Sequence, residues 1–130
     1  PALALLLPSA TRDAFLADAI RSTALKQFPD MCHRLRQQDG LRLGPETAGA
    51  VLDGIRACVN AKAGVHQAAT QLLAFSTDPQ EIPELLDRLT VLKEDPDLSH
   101  SSQSAVRDAV AALTLRHSIH ESIAHTKEPR

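Results

Sequence analysis

The chain has no tryptophan, no tyrosine and only three phenylalanines among its 130 residues. A sheet core draws on aromatic and β-branched side chains, so this scarcity speaks against one. Hydrophobic residues make up 43% of the chain. The core they build must therefore be Leu, Ala, Val and Ile, which suits close-packed helices. Cysteine is equally scarce. Cys32 and Cys58 are too few for a disulfide framework and read as small core residues in a reducing compartment. Charge of one sign is lacking too: 14 basic and 16 acidic residues leave a formal charge of −2. The basic footprint of a general nucleic-acid binder is therefore missing.

Long apolar runs are absent. The longest, Ala2 to Leu7, is far short of the roughly 20 residues that cross a bilayer. No basic residue precedes it, as a secretory signal would require. Residues 1–8 read as an extended strap on the domain. With no initiator Met, the chain reads as a piece of a longer protein, and residues 126–130 read as the start of a linker.

Catalytic signatures are missing as well. There is no GxSxG, no HExxH and no phosphate loop. Cys58 and His66 are two helical turns apart and form no dyad by sequence. Neither an enzyme nor a cofactor is expected. His117 and His120 stand at i, i+3, with Glu121 and His125 nearby. Zinc sites usually bring four convergent ligands, often with cysteine, and no CxxC exists here. These histidines read as half-exposed rather than metal-binding.

What the chain does have is helical periodicity. Leu16, Ile20, Ala24, Phe28, Met31 or Cys32, and Leu35 recur at helical spacing over about five turns. Pro29 falls inside this stripe, and because the stripe resumes in phase, the spacing predicts one kinked helix over 9–39. A second stripe runs from Val51 through Ile55, Cys58, Ala61, Val65, Ala68 and Leu72 to Phe75. It predicts a helix over 45–76, started by Pro45 and passing through Gly49, Gly54 and Gly64. Ile82, Leu85, Leu86, Leu89 and Leu92 mark a third helix, 80–94. Val106, Ala109, Val110, Leu113, Ile119 and Ile123 mark a fourth, 99–125, capped by Ser99 or Ser101. No internal repeat of solenoid period is visible. The expectation is an all-α single domain over 1–130, an antiparallel up-down-up-down four-helix bundle.

In such a bundle the first and third loops share one end. Asp39-Gly40-Leu41-Arg42-Leu43-Gly44-Pro45 puts two leucines and an arginine where polar turn residues are normal. Leu41, Leu43 and Leu98 would insert into an interface. Arg42 and Arg36, with His33 and Arg34, would supply positive charge. Ser99, Ser101 and Ser102 at the start of the fourth helix would present backbone N–H groups to a phosphate. Against this, Glu94, Asp95 and Asp97 share the same tip and would repel an anionic surface.

The opening Leu3-Ala4-Leu5-Leu6-Leu7-Pro8-Ser9-Ala10-Thr11-Arg12-Asp13-Ala14-Phe15, the Ala-rich helices and the Leu41-Arg42-Leu43 tip resemble the four-helix-bundle membrane-localisation domains of bacterial type III-secreted cytotoxins and effectors. The resemblance spans the whole chain. It implies a lipid-raft-targeting virulence domain that carries a secreted effector to the cytoplasmic face of the host plasma membrane by binding phosphoinositides such as PIP2. It further implies Leu41, Leu43 and Leu98 as insertion residues, with Arg42, Arg36 and His100 as head-group contacts and Ser99 beside them. The acidic third loop departs from a simply basic tip. The alternative is a non-catalytic protein-interaction bundle of a larger protein, with a secretion chaperone or a second copy as partner.

Overall fold

The computed structural model describes residues 9–38, 40–63 and 67–127. Among them the fold is all-α, with six α-helices and no strand: α1 (Ser9–Arg21), α2 (Phe28–Arg36), α3 (Pro45–Asn60), α4 (Gln67–Ser76), α5 (Ile82–Lys93) and α6 (His100–Lys127). The strap at 1–8, Asp39, the segment 64–66 and residues 128–130 lie outside the described residues.

Two of the four expected helices are broken, each for a local reason. The first ends at Arg21 and restarts at Phe28, with a single 3-10 turn at Leu25–Gln27 between. Pro29 has no N–H and would clash with the carbonyl four residues back, so a helix through that point is strained. The chain avoids the strain by starting α2 one residue earlier, which puts Pro29 in its first turn, where a missing N–H costs nothing. The second expected helix stops at Asn60. Lys62 takes a left-handed conformation with φ 57°. The Ala63 N–H bonds the Cys58 carbonyl at 2.8 Å and the Lys62 N–H bonds that of Val59 at 3.0 Å. This is a Schellman stop, built on a lysine where glycine is usual. At the other end α6 runs to Lys127, through the start of the expected linker.

The helices do not form an up-down-up-down bundle. They lie in two layers; of the sequential pairs α1–α2, α3–α4 and α5–α6, the helices of the last two pack against each other across the layers. In one layer α3 packs between α1 and α5; in the other α4 packs between α2 and α6. Neighbours within a layer run the same way. Asp13 on α1 meets Glu46 and Thr47 at the start of α3, and Arg21 meets Asp53 further along at 3.7 Å. Asp53 in turn meets Arg88 of α5 at 3.5 Å. Arg116 of α6 meets the carbonyls at the end of α4. The first helices of the pairs begin at Ser9, Pro45 and Ile82, spacings of 36 and 37 residues, although the residues themselves do not repeat.

The buried side chains form one cluster shared by all six helices, including Ile20, Phe28, Val51, Leu52, Ile55, Leu72, Leu73, Leu89 and Leu113. Gly54 allows the closest approach. A Cβ there would run into the Phe28 ring, so glycine lets α2 begin close against α3.

Candidate anion-binding cleft

The loop from α2 to α3 is held against the chain leaving α4. The Leu43 N–H bonds the Ser76 carbonyl at 2.8 Å, and the Leu43 carbonyl accepts from the Asp78 N–H at 2.9 Å. Leu43 and Thr77 thus form a parallel bridge. Tied by both backbone groups, Leu43 points inward and is 0% exposed. Leu41 is half-buried and packs on the core. Leu43 is a core residue, which corrects its expected role as an insertion residue, while Leu41 packs on the core with part of its surface lining the cleft described below.

The same fold separates the two loops expected to share a tip. Leu98, Ser99 and His100 stand at the start of α6, whereas Arg42 lies by Arg116, 16 residues further along that helix, which is about 24 Å at 1.5 Å per residue. Leu98 is half-buried against the core. Ser99 is occupied as the helix cap, accepting from the Ser102 N–H at 3.2 Å. His100 is exposed. The first and third loops therefore do not make one site. Glu94, Asp95 and Asp97 are at that far end too, so their objection to a basic tip no longer applies.

What the fold does bring together is arginine. Arg36 from α2, Arg42 from the loop and Arg116 from α6 line one open cleft of about 370 Å³, with Gln38, Gly40, Leu41, Phe75 and Ser76 completing its wall. The Arg36 guanidinium lies over the Phe75 ring, 5.0 Å from its centroid, a cation–π contact that orients it. Arg116 donates from Nη1 to the Ala74 carbonyl at 2.9 Å and from Nη2 to that of Thr77 at 2.8 Å. It thereby satisfies carbonyls at the end of α4, where the helix dipole favours a cation. Burial first, and Arg42 second, pull the Arg116 guanidinium below its ordinary pKa, while Asp78 opposes them. Arginine stays charged through such shifts. Among the described residues none of the three guanidinium groups has a carboxylate within ion-pair distance. Three cations around an open polar hollow, two of them held by the Phe75 ring and the α4 carbonyls, can hold a phosphate or carboxylate through forked hydrogen bonds.

Of the expected site, Arg36 and Arg42 meet, with Leu41 behind them. Arg116 and Phe75 were not legible from sequence, because their place depends on the stacking. No three His, Cys, Asp or Glu side chains converge as a metal site among the described residues. His117 instead pairs with Glu121 one turn on, at 3.9 Å. Cys32 and Cys58 are buried free thiols. Burial, with Cys58 nearby, pushes the Cys32 thiol up to about 12, far from nucleophilic use. No helix among the described residues is long and apolar enough to cross a membrane. No family model, curated protein or solved structure matches this chain.

Proposed function

We propose that this chain is a non-catalytic module that binds anionic phospholipid head groups at a membrane surface, through Arg36, Arg42 and Arg116. The observation that carries the reading is the gathering of three guanidinium groups, from three separate segments, around one cleft without a carboxylate partner among the described residues. Unpaired like charges held together raise the energy of the free protein and are relieved by an anion, which is the arrangement expected of a phosphate site. The resemblance to membrane-localisation domains of type III effectors points the same way and supplies a setting, the cytoplasmic face of a host plasma membrane, with phosphoinositides as the lipid.

Co-sedimentation with vesicles tests it. Phosphatidylcholine vesicles are compared with the same vesicles carrying phosphatidylinositol bisphosphate or phosphatidylserine. Each basic side chain near an anionic surface contributes about 1 kcal/mol, so Arg36→Gln with Arg42→Gln weakens binding about 30-fold. Raising the salt weakens the wild type in the same direction. Equal binding by wild type and double variant, or no preference for anionic vesicles, rules the proposal out.

A further inference from the structure

With Leu43 in the core and Leu41 and Leu98 half-buried against it, most of the apolar part of a membrane contact must come from elsewhere. The exposed apolar residues beside the cleft are Phe75 at 53%, Leu115 at 62%, Ile119 at 51% and Ile123 at 50%. Phe75 lines both the arginine cleft and the α4–α6 groove that includes Ala112. At about 100° per residue, Ala112, Leu115, Arg116, Ile119 and Ile123 all lie within about 60° of one line along α6. The line therefore begins at Phe75 and runs past Arg116. Because Arg116 already meets the last carbonyls of α4, among the described residues no neighbouring helix covers this face beyond it, and Ile119 and Ile123 stay half exposed.

Charge decides what fits there. From position 111 to 123 the only carboxylate is Glu121, about 160° round the helix from Ile119. His117 is on that opposite side, paired to Glu121. The nearest acid on the face itself is Asp108, beside Ala105 and Ala112 in the groove, about 16 Å before Ile119. Beyond Asp108 the face thus carries bulky apolar groups and arginine without an acid of its own on α6, the neighbouring carboxylate being Asp78, which acts on Arg116 from the chain leaving α4. A second copy laid on it would bring Arg116 against its own like charge. An interface with apolar chains below and anionic head groups above satisfies both components.

We infer that the C-terminal half of α6 lies in the plane of an anionic membrane, with Leu115, Ile119 and Ile123 sunk into the acyl boundary and Phe75 beside them. The inference rests on the head-group reading above and adds the depth, orientation and residues of insertion. α6 would lie along the surface, not across it.

The absence of native tryptophan gives a clean probe. Ile119→Trp is expected to blue-shift on phosphatidylinositol bisphosphate vesicles and to be quenched by lipids brominated on their acyl chains. Val91→Trp, 64% exposed on α5 near the far end, is expected to do neither. Ile119→Glu is expected to weaken vesicle binding at least 10-fold, with far-UV circular dichroism unchanged. If vesicles sediment the protein but Trp at 119 shows no shift or quenching, the inference is overturned and the head-group reading stands. If anionic vesicles sediment nothing, both fail. A dimer in light scattering that Ile119→Glu abolishes would assign the face to a second copy and overturn the inference.

Discussion

Replacing Asp13 with alanine removes the hydrogen bonds that tie α1 to the start of α3. The start of α3 has no cap of its own, because Gly44 stands at the cap position without a side chain. The Asp13 carboxylate fills that role from another helix. It accepts N–H bonds from Glu46 and Thr47, both at 3.0 Å, and a hydroxyl bond from the buried Thr47. Losing a cap costs about 1 kcal/mol, and hydrogen bonds to a charged group are worth about 1.5–3 kcal/mol. The Thr47 hydroxyl keeps its bond to the Asp13 backbone carbonyl, which limits the loss. The sum is about 2–4 kcal/mol, a large share of a stability of about 5–15 kcal/mol. Unfolding entropy near 2.1 cal/mol/K per residue converts this to a Tm drop of roughly 7–15 °C. Urea titration followed by far-UV circular dichroism reads it as a lower midpoint with an unchanged slope. Asp13→Asn, which keeps one acceptor oxygen, is expected to fall between. Asp13→Ala and Thr47→Val should be strongly non-additive, since they break one network. A loss below about 0.5 kcal/mol for Asp13→Ala would refute the claim that α1 caps α3.

Gly54→Ala drives a Cβ into the Phe28 ring; this overpacking is expected to cost about 1–3 kcal/mol in urea denaturation, and Phe28→Leu in the same chain should recover part of it. Lys62, at φ 57°, carries a left-handed cost that glycine lacks, so Lys62→Gly is expected to hold or raise the Tm while Lys62→Val lowers it. Burial first, then Glu84, Asp78 and Asp13, push the Glu81 carboxyl above its ordinary range. A raised folded pKa favours folding below the unfolded value and that benefit is lost as pH rises through the folded one. Glu81→Gln is therefore expected to raise Tm at pH 7, with the difference vanishing near pH 3, below the ordinary carboxylate range of about 4.3.

The helical class was legible because periodicity is a property of each segment alone. Ile20, Phe28, Cys32, Leu35, Val51, Ile55, Cys58 and Leu72 all fall on the stripes and are all buried. The breaks were harder. A stripe that resumes in phase after Pro29 looks the same whether the backbone kinks or stops and restarts. The stop at Lys62 carries no mark at all, since a lysine is an ordinary helix residue and only its φ makes it a terminator. Once both long helices are each divided in two, four antiparallel rods are no longer available. Short helices must then find partners sideways, which the two layers provide.

The consequence for the site follows from Leu43. In a bundle of long rods a loop leucine sits at a tip with nothing beyond it. In the two layers, the loop leaving one pair lies against the loop leaving the next, so both backbone groups of Leu43 find partners at Ser76 and Asp78 and its side chain turns into the core. Arg42, its neighbour, is thereby turned outward, toward Arg36 and Arg116. The leucine that suggested a membrane contact is thus the residue that places the arginine. Replacing Leu43 by alanine should therefore act twice: through the core, by about 2–5 kcal/mol of stability, and through Arg42, by weakening anion binding in whatever fraction stays folded. Ser76 and Asp78 bond the backbone of residue 43, not its side chain, so a milder Leu43→Met should preserve both. A Leu43→Met variant that folds stably but binds anionic vesicles no better than Arg42→Gln would show that the bridge does not position the cleft.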